Sequence, residues 1–320
     1  MDTTTLLAFQ LPTICFSILS MSGNAVVIAS IFSLSRNRRT IHMLTKLSLA
    51  GTNVCSTLTV IISIVHFHVS FTSYSSYEYD ELFLNMWFYD SLHRFFCSAS
   101  FYNVSLLALQ RLYAIKYPYK YTRISKKKHI LWLVISWALG AINFVLYTLV
   151  YVIGVTELIF PTEILASTVP FIITLISTIA ICLVYINYTR SSTFNSNDNT
   201  VVSRQHDHSA VTKVTSLIAV SYIVTCGPLI SCDLYFLIIT CAGKDWTKDN
   251  LGMFLQQAAN IFYSLNGLVD VIIYRVLDNH FKKYCKSLFA KLHCSTTTTT
   301  EGDSAAQVHS LPTVYRTDLT

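Results

Sequence analysis

Long runs of Leu, Ile, Val, Phe and Ala fill this chain, and single polar residues break them at Asn24, Asn53, Ser100, Arg111, Asn266, Asp270 and Tyr274. The runs cover 8–33, 43–68, 86–115, 129–153, 165–189, 211–240 and 250–274. Each reaches the length of about 20 mostly apolar residues that a helix needs to cross the hydrocarbon of a bilayer, so helices rather than barrel strands are predicted. A polar or ionisable side chain at membrane depth is costly, which makes each interruption a place to look for function.

The predicted fold is therefore an all-α membrane protein, a seven-transmembrane helix bundle over 8–274 with a short extracellular N-terminus at 1–7. Residues 275–292 follow as an amphipathic membrane-surface helix, with Val276, Phe281, Cys285, Leu288 and Phe289 largely on one face and lysines on the other. The polar, Ser/Thr-rich stretch 293–320 reads as a disordered cytoplasmic tail. The opening residues carry no basic region ahead of the first run, which reads as a retained span rather than a removed signal peptide.

Composition agrees with this solvent: 52% of residues are hydrophobic and only 12% are charged, too few polar groups to cover a water-soluble protein of this size. Short loops set the orientation. Arg36, Arg38 and Arg39 follow the first run, Lys116, Lys120, Arg123 and Lys126 to Lys128 the third, and Arg275, Lys282, Lys283 and Lys286 the seventh. Acidic Glu78, Asp80 and Glu81, and then Glu157 and Glu163, lie on the opposite side. This places the N-terminus outside and the C-terminus in the cytoplasm. The net charge of +6 sits at membrane-flanking positions, where contact with anionic lipid explains it without a nucleic-acid partner. Six cysteines, Cys15, Cys55, Cys97, Cys182, Cys226 and Cys232, fall inside runs as small buried hydrophobes. No cysteine spacing suggests zinc, and no nucleophile-base constellation suggests an enzyme.

Arg111 closes the third run in LLALQRLYAIKYPYKY, and Gly23-Asn24, Trp137, Pro170, Pro228, Asn266 and Asp270-Val271-Ile272-Ile273-Tyr274 follow one another across the other runs. In this order the landmarks resemble the rhodopsin-like G-protein-coupled receptors. The arginine of the family's acidic-Arg-aromatic triplet is kept inside Gln110-Arg111-Leu112, and Asp270 to Tyr274 is similar to the family's Asn-Pro-x-x-Tyr with Asp and Val in the first two places. Asn53, in Leu49-Ala50-Gly51-Thr52-Asn53, and Asp270 reverse the family's usual Asp and Asn. That exchange resembles mammalian gonadotropin-releasing-hormone receptors and points to a divergent, invertebrate branch near them.

The resemblance implies a receptor that binds an extracellular ligand, a neuropeptide first, and activates a heterotrimeric G protein. Arg111 and Gln110 with the following basic loop would form the docking surface. Tyr274 would support the opened state, and Pro228 would act as a hinge, with Cys226 in place of the usual tryptophan switch and Tyr222 four residues below. Asn24, Asn53, Ser100, Asn266 and Asp270 would share a polar site. Either an allosteric sodium ion bound by Asp270, Ser100 and Asn53 or a neutral hydrogen-bonded network accounts for it. No other cofactor is implied. His93 stands eighteen residues before Arg111, where amine receptors carry an Asp, so a monoamine ligand is disfavoured. His93, Cys97, Asp233, Gln256 and Asn260 are the pocket candidates, with Asp233 available to a basic ligand group. The acidic stretch SSYEYDELF would attract a cationic peptide or simply be a solvated loop.

The chain departs from the family pattern where the usual outer bridge would be: position 86 is Met and 153–165 hold no cysteine. Gln110 and His208 stand where charged lock partners are usual, which implies either high basal signalling or lost coupling. Cys285 and Cys294 are palmitoylation candidates or free thiols. The Thr-rich tail would take phosphates from receptor kinases and recruit an arrestin, or stay a passive terminus. Asn103 and Asn187 match the glycosylation pattern but fall within spans. A chemosensory receptor for small molecules shares the same inner half. A transporter is the rival from another class, without the repeated halves or paired broken helices such proteins show.

Overall fold

The computed structural model describes residues 3–34, 41–73, 79–153, 159–192, 199–243 and 250–297. Arg36, Arg38, Arg39, Glu78, Glu157 and the tail from 298 lie outside them, as do the side chains of Asp80, Glu81, Met86, Asn187, His208 and Cys294. All regular structure among the described residues is helical: α1 (Thr3–Phe32), α2 (Ile41–Ser73), α3 (Tyr79–Lys116), α4 (Pro118–Thr122), α5 (Lys126–Ile153), α6 (Ile159–Ser192), α7 (Asn199–Cys241), α8 (Asn250–Leu277) and α9 (Asn279–Thr297).

Among the described residues, five helices are long and apolar enough to cross a membrane, over Gln10–Phe32, Met43–His66, Lys126–Val150, Pro161–Val184 and Ser216–Cys241. α3 and α8, expected as spans, are not among them. The N-terminal half of α3 carries Asp80, Glu81, Asp90 and Arg94, and α8 carries Gln256, Gln257, Asn260, Asn266 and Asp270.

Residues Met1–Lys282 form one compact unit and Lys283–Thr320 a second. Within the first, neighbours run α1, α2, α3, α5, α6, α7, α8 and back to α1, and α3 also packs against α6 and α7. Small residues allow the closest approaches. A Cβ on Gly140 of α5 would stand 3.1 Å from Ala99 Cβ and from the Phe95 carbonyl of α3. A Cβ on Gly267 of α8 would strike the Ser20 hydroxyl of α1. Such positions let helix backbones meet where lipid offers no hydrophobic drive for association.

Burial is inverted relative to a water-soluble protein. Asn53, Ser100, Asn103, Gln110, Arg111, Asn266 and Asp270 are buried, while Leu131, Val134, Ile142 and Leu149 on α5 and Ile172, Ile176, Ile179 and Leu183 on α6 are exposed. An apolar surface of this extent marks a lipid-facing one. Cys97, Cys226 and Cys232 are buried as expected from their runs, but Cys15 and Cys182 are exposed on the apolar surface. The second unit continues α9, where Cys285 is buried and Phe289 is exposed.

Candidate functional site

α3 organises two polar centres at different depths. Near its N-terminal half a cavity of about 220 Å³ is lined by residues of α1, α2, α3, α5, α6, α7 and α8. All five pocket candidates, His93, Cys97, Asp233, Gln256 and Asn260, line it. The 3.6-residue period puts Asp90, Arg94, Cys97 and Phe101 on one stripe of α3 facing that space.

The charged side of the cavity was not legible as a site in the sequence. Arg94 Nε donates to Asp90 Oδ2 at 2.9 Å, and its Nη1 pairs with Glu163 of α6. The guanidinium lies 4.5 Å from the centroid of the Tyr147 ring, and the Tyr147 hydroxyl donates to Asp90 Oδ2 at 2.7 Å. Glu163, read from the sequence only as an acid of the outer side, is buried on α6 in this pair. Burial of an acid is tolerated when a cation and further polar groups meet it, and Arg94 supplies the cation from the neighbouring helix. The available signal was the i,i+4 spacing of Asp90 and Arg94 inside an aromatic run.

On the other side, the Cys97 sulfur lies 3.2 Å from His93 Nε2 and 3.7 Å from Nδ1, packed against the ring. His93 Nδ1 is 3.2 Å from the Ser56 carbonyl, and the Ser56 hydroxyl is 3.0 Å from the Tyr263 hydroxyl. Rings then lead away from the cavity. His93 meets Tyr263 at 5.6 Å, Tyr263 meets Phe101 at 5.9 Å, and Phe101 meets Tyr222 of α7 at 5.4 Å. Tyr222 and Cys226 are fully buried on the stretch of α7 before Pro228.

The second centre lies below. Ser100 donates to Asn53 Oδ1 at 2.8 Å, and Asn53 Nδ2 donates to Asp270 Oδ2 at 3.4 Å. The structure thus brings together three of the five polar-site candidates. Asn24 donates instead to the Gly267 carbonyl at 3.2 Å, joining α1 to α8, and Asn266 accepts from Thr225 of α7 at 2.8 Å. Asp270 Oδ1 is buried and accepts no hydrogen bond among the described residues. That orphaned oxygen, with neutral oxygens on Asn53 and Ser100, fits a small hard cation. Among the described residues no three His, Cys, Asp or Glu side chains cluster as metal ligands.

At the far end of α3, Gln110 does not engage Arg111. Its carbonyl accepts from Thr45 of α2 at 3.2 Å, and its amide lies 3.5 Å from His129 Nδ1 of α5. Arg111 is buried and close to Tyr121, whose phenol burial pushes up while the guanidinium pulls it down. Lys116, Lys120, Arg123 and Lys126 to Lys128 are exposed around this end. Asn103, noted in the sequence only as a glycosylation pattern, is buried and accepts from Ser48 of α2 at 3.2 Å and Ser136 of α5 at 2.9 Å. Trp137 completes the tie by donating to Ser48 at 2.9 Å.

No protein-family model matches the chain, and no curated protein sequence does.

Proposed function

We propose that the chain is a divergent rhodopsin-like G-protein-coupled receptor of the plasma membrane, with α3 and α8 joining the five more apolar helices as spans. The N-terminus is outside, so the cavity opens from the outer half and Arg111 stands at the cytoplasmic end. The observation that carries this reading is that one helix, α3, lines a polar cavity at one end and holds a buried arginine amid exposed lysines at the other. A neuropeptide docks one terminal group in the cavity, and the ring contacts from His93 to Tyr222 pass the change to α7 below the Pro228 kink. Movement of that half exposes Arg111 to the G-protein α subunit. Receptor kinases and an arrestin act on the tail.

The cavity volume of about 220 Å³ lies below the usual range for drug-sized ligands. It favours, as the second reading, a chemosensory receptor for small molecules with the same inner half. The test is G-protein activation in cells expressing wild type and Arg111→Ala, without ligand and then with a neuropeptide library. A basal or peptide-driven signal lost in the variant supports a coupled receptor. Silence from a well-expressed surface protein across G-protein classes overturns the coupling. A response to small odorant-like molecules alone selects the second reading.

A further inference from the structure

We propose that the ligand of this cavity is cationic, presenting a guanidinium or an alkylammonium to Glu163 and Asp233; this rests on the receptor reading only in naming the occupant a ligand. Among the described lining residues, three carboxylates (Asp90, Glu163 and Asp233) face one guanidinium, Arg94. Asp90 is satisfied by Arg94 Nε and by the Tyr147 hydroxyl. Glu163, 7% exposed, is held by Arg94 through its Oε1, whereas Asp233 has no ion pair among the described residues. Asp233, on α7, lines the same space with only the electrostatic pull of Arg94 and makes no hydrogen bond among the described residues. Glu163 and Asp233 are close enough to repel one another.

Carboxylates away from water are stable when a cation and hydrogen-bond donors meet them. Arg94 is the chain's own example of the chemistry: a guanidinium held between two carboxylates over an aromatic face. A second guanidinium entering the cavity would find Glu163 and Asp233 on neighbouring helices and the Gln256 and Asn260 amides of α8 in the same lining. It would satisfy both carboxylates together and draw α6 toward α7.

The experiment uses the full chain in lipid nanodiscs and reads thermal stabilisation, with no G protein present. The probes are Nα-acetyl-arginine amide, its near-isosteric neutral counterpart Nα-acetyl-citrulline amide, and Nα-acetyl-glutamate amide. The arginine probe is expected to raise the melting temperature dose-dependently in the millimolar range, with the other two inert. Asp233→Asn, which disturbs no hydrogen bond in the structure, is expected to weaken that effect at least about tenfold. Glu163→Gln, checked for folding by monodispersity, should do the same. Equal stabilisation by the citrulline probe, no stabilisation by the arginine probe, or full retention of the effect in Asp233→Asn would each overturn the proposal. Stabilisation without any cellular coupling would leave it standing and sink the receptor reading alone. Coupling driven by a neutral ligand that competes for the cavity would do the reverse.

Discussion

Lys46 Nζ of α2 lies 2.8 Å from Asp278 Oδ2, the residue between α8 and α9. The same ammonium stands 4.9 Å from the centroid of the Tyr274 ring. Asp278 also caps α9, its Oδ1 accepting from the His280 and Phe281 amides at 2.9 and 3.2 Å. One carboxylate therefore ties the end of α8 to α2 and starts the next helix. Lys46→Met removes the tie and leaves the cap. In the receptor reading it is expected to raise basal G-protein signalling several-fold by freeing Tyr274. Unchanged basal signal at matched surface expression would separate the tie from activation.

The same carboxylate carries a pH dependence. Burial pushes the Asp278 carboxyl up, but Lys46 and the two backbone amides outweigh it and hold the group below the usual carboxylate range. A depressed native value contributes stability above the unfolded value, and that contribution is lost as pH falls through the native one. Asp278→Asn should therefore melt lower than wild type at pH 7, by about 1 kcal/mol from the weakened cap and lost ion pair. The two curves should converge below about pH 4. Melting temperatures from pH 3 to 8 in nanodiscs give the comparison.

Two glycines of the bundle should respond in opposite ways. Gly140→Ala places a methyl 3.1 Å from Ala99 and from the Phe95 carbonyl, where backbone cannot yield, and should destabilise by about 1–3 kcal/mol. At Gly51 on α2 an added Cβ meets nothing within 4 Å, and Gly51→Ala should be neutral or stabilising by up to about 1 kcal/mol. Thermal unfolding of the two purified variants checks the pair. Equal effects would contradict the α3–α5 approach.

Asp270 gives an ion test. If its Oδ1, which accepts no hydrogen bond among the described residues, holds sodium, exchanging sodium for choline should lower the melting temperature by about 2 °C or more. Asp270→Asn should lose that sensitivity. A wild-type melting temperature indifferent to sodium would assign the cluster to a neutral hydrogen-bonded network.

Reading the sequence located every long helix to within a few residues at most ends, since apolar runs of this length have few other solutions. Three starts fall further off, α3 at Tyr79 rather than 86, α6 at Ile159 rather than 165 and α7 at Asn199 rather than 211, and in α7 the polar first turns carry no apolar signal. The count of strongly apolar helices fell from seven to five, since single Asn, Gln and Asp residues in α3 and α8 dilute hydropathy without breaking a helix. Depth along the runs grouped His93, Cys97, Asp233, Gln256 and Asn260, and all five line the cavity. Glu163 was missed as a site because an acid at the edge of a run reads the same whether it faces solvent or Arg94.

Along the chain alone, period and composition determined an all-helical protein with apolar helices suited to a bilayer, because helix length and hydropathy are local properties. Only the tertiary structure decided which polar groups meet. It joined Asn53 to Asp270 and Ser100, sent Asn266 to Thr225 and Gln110 to Thr45, and set Glu163 against Arg94. Those pairings join residues on different helices, and they depend on helix rotation and neighbour order, which packing at positions such as Gly140 and Gly267 sets.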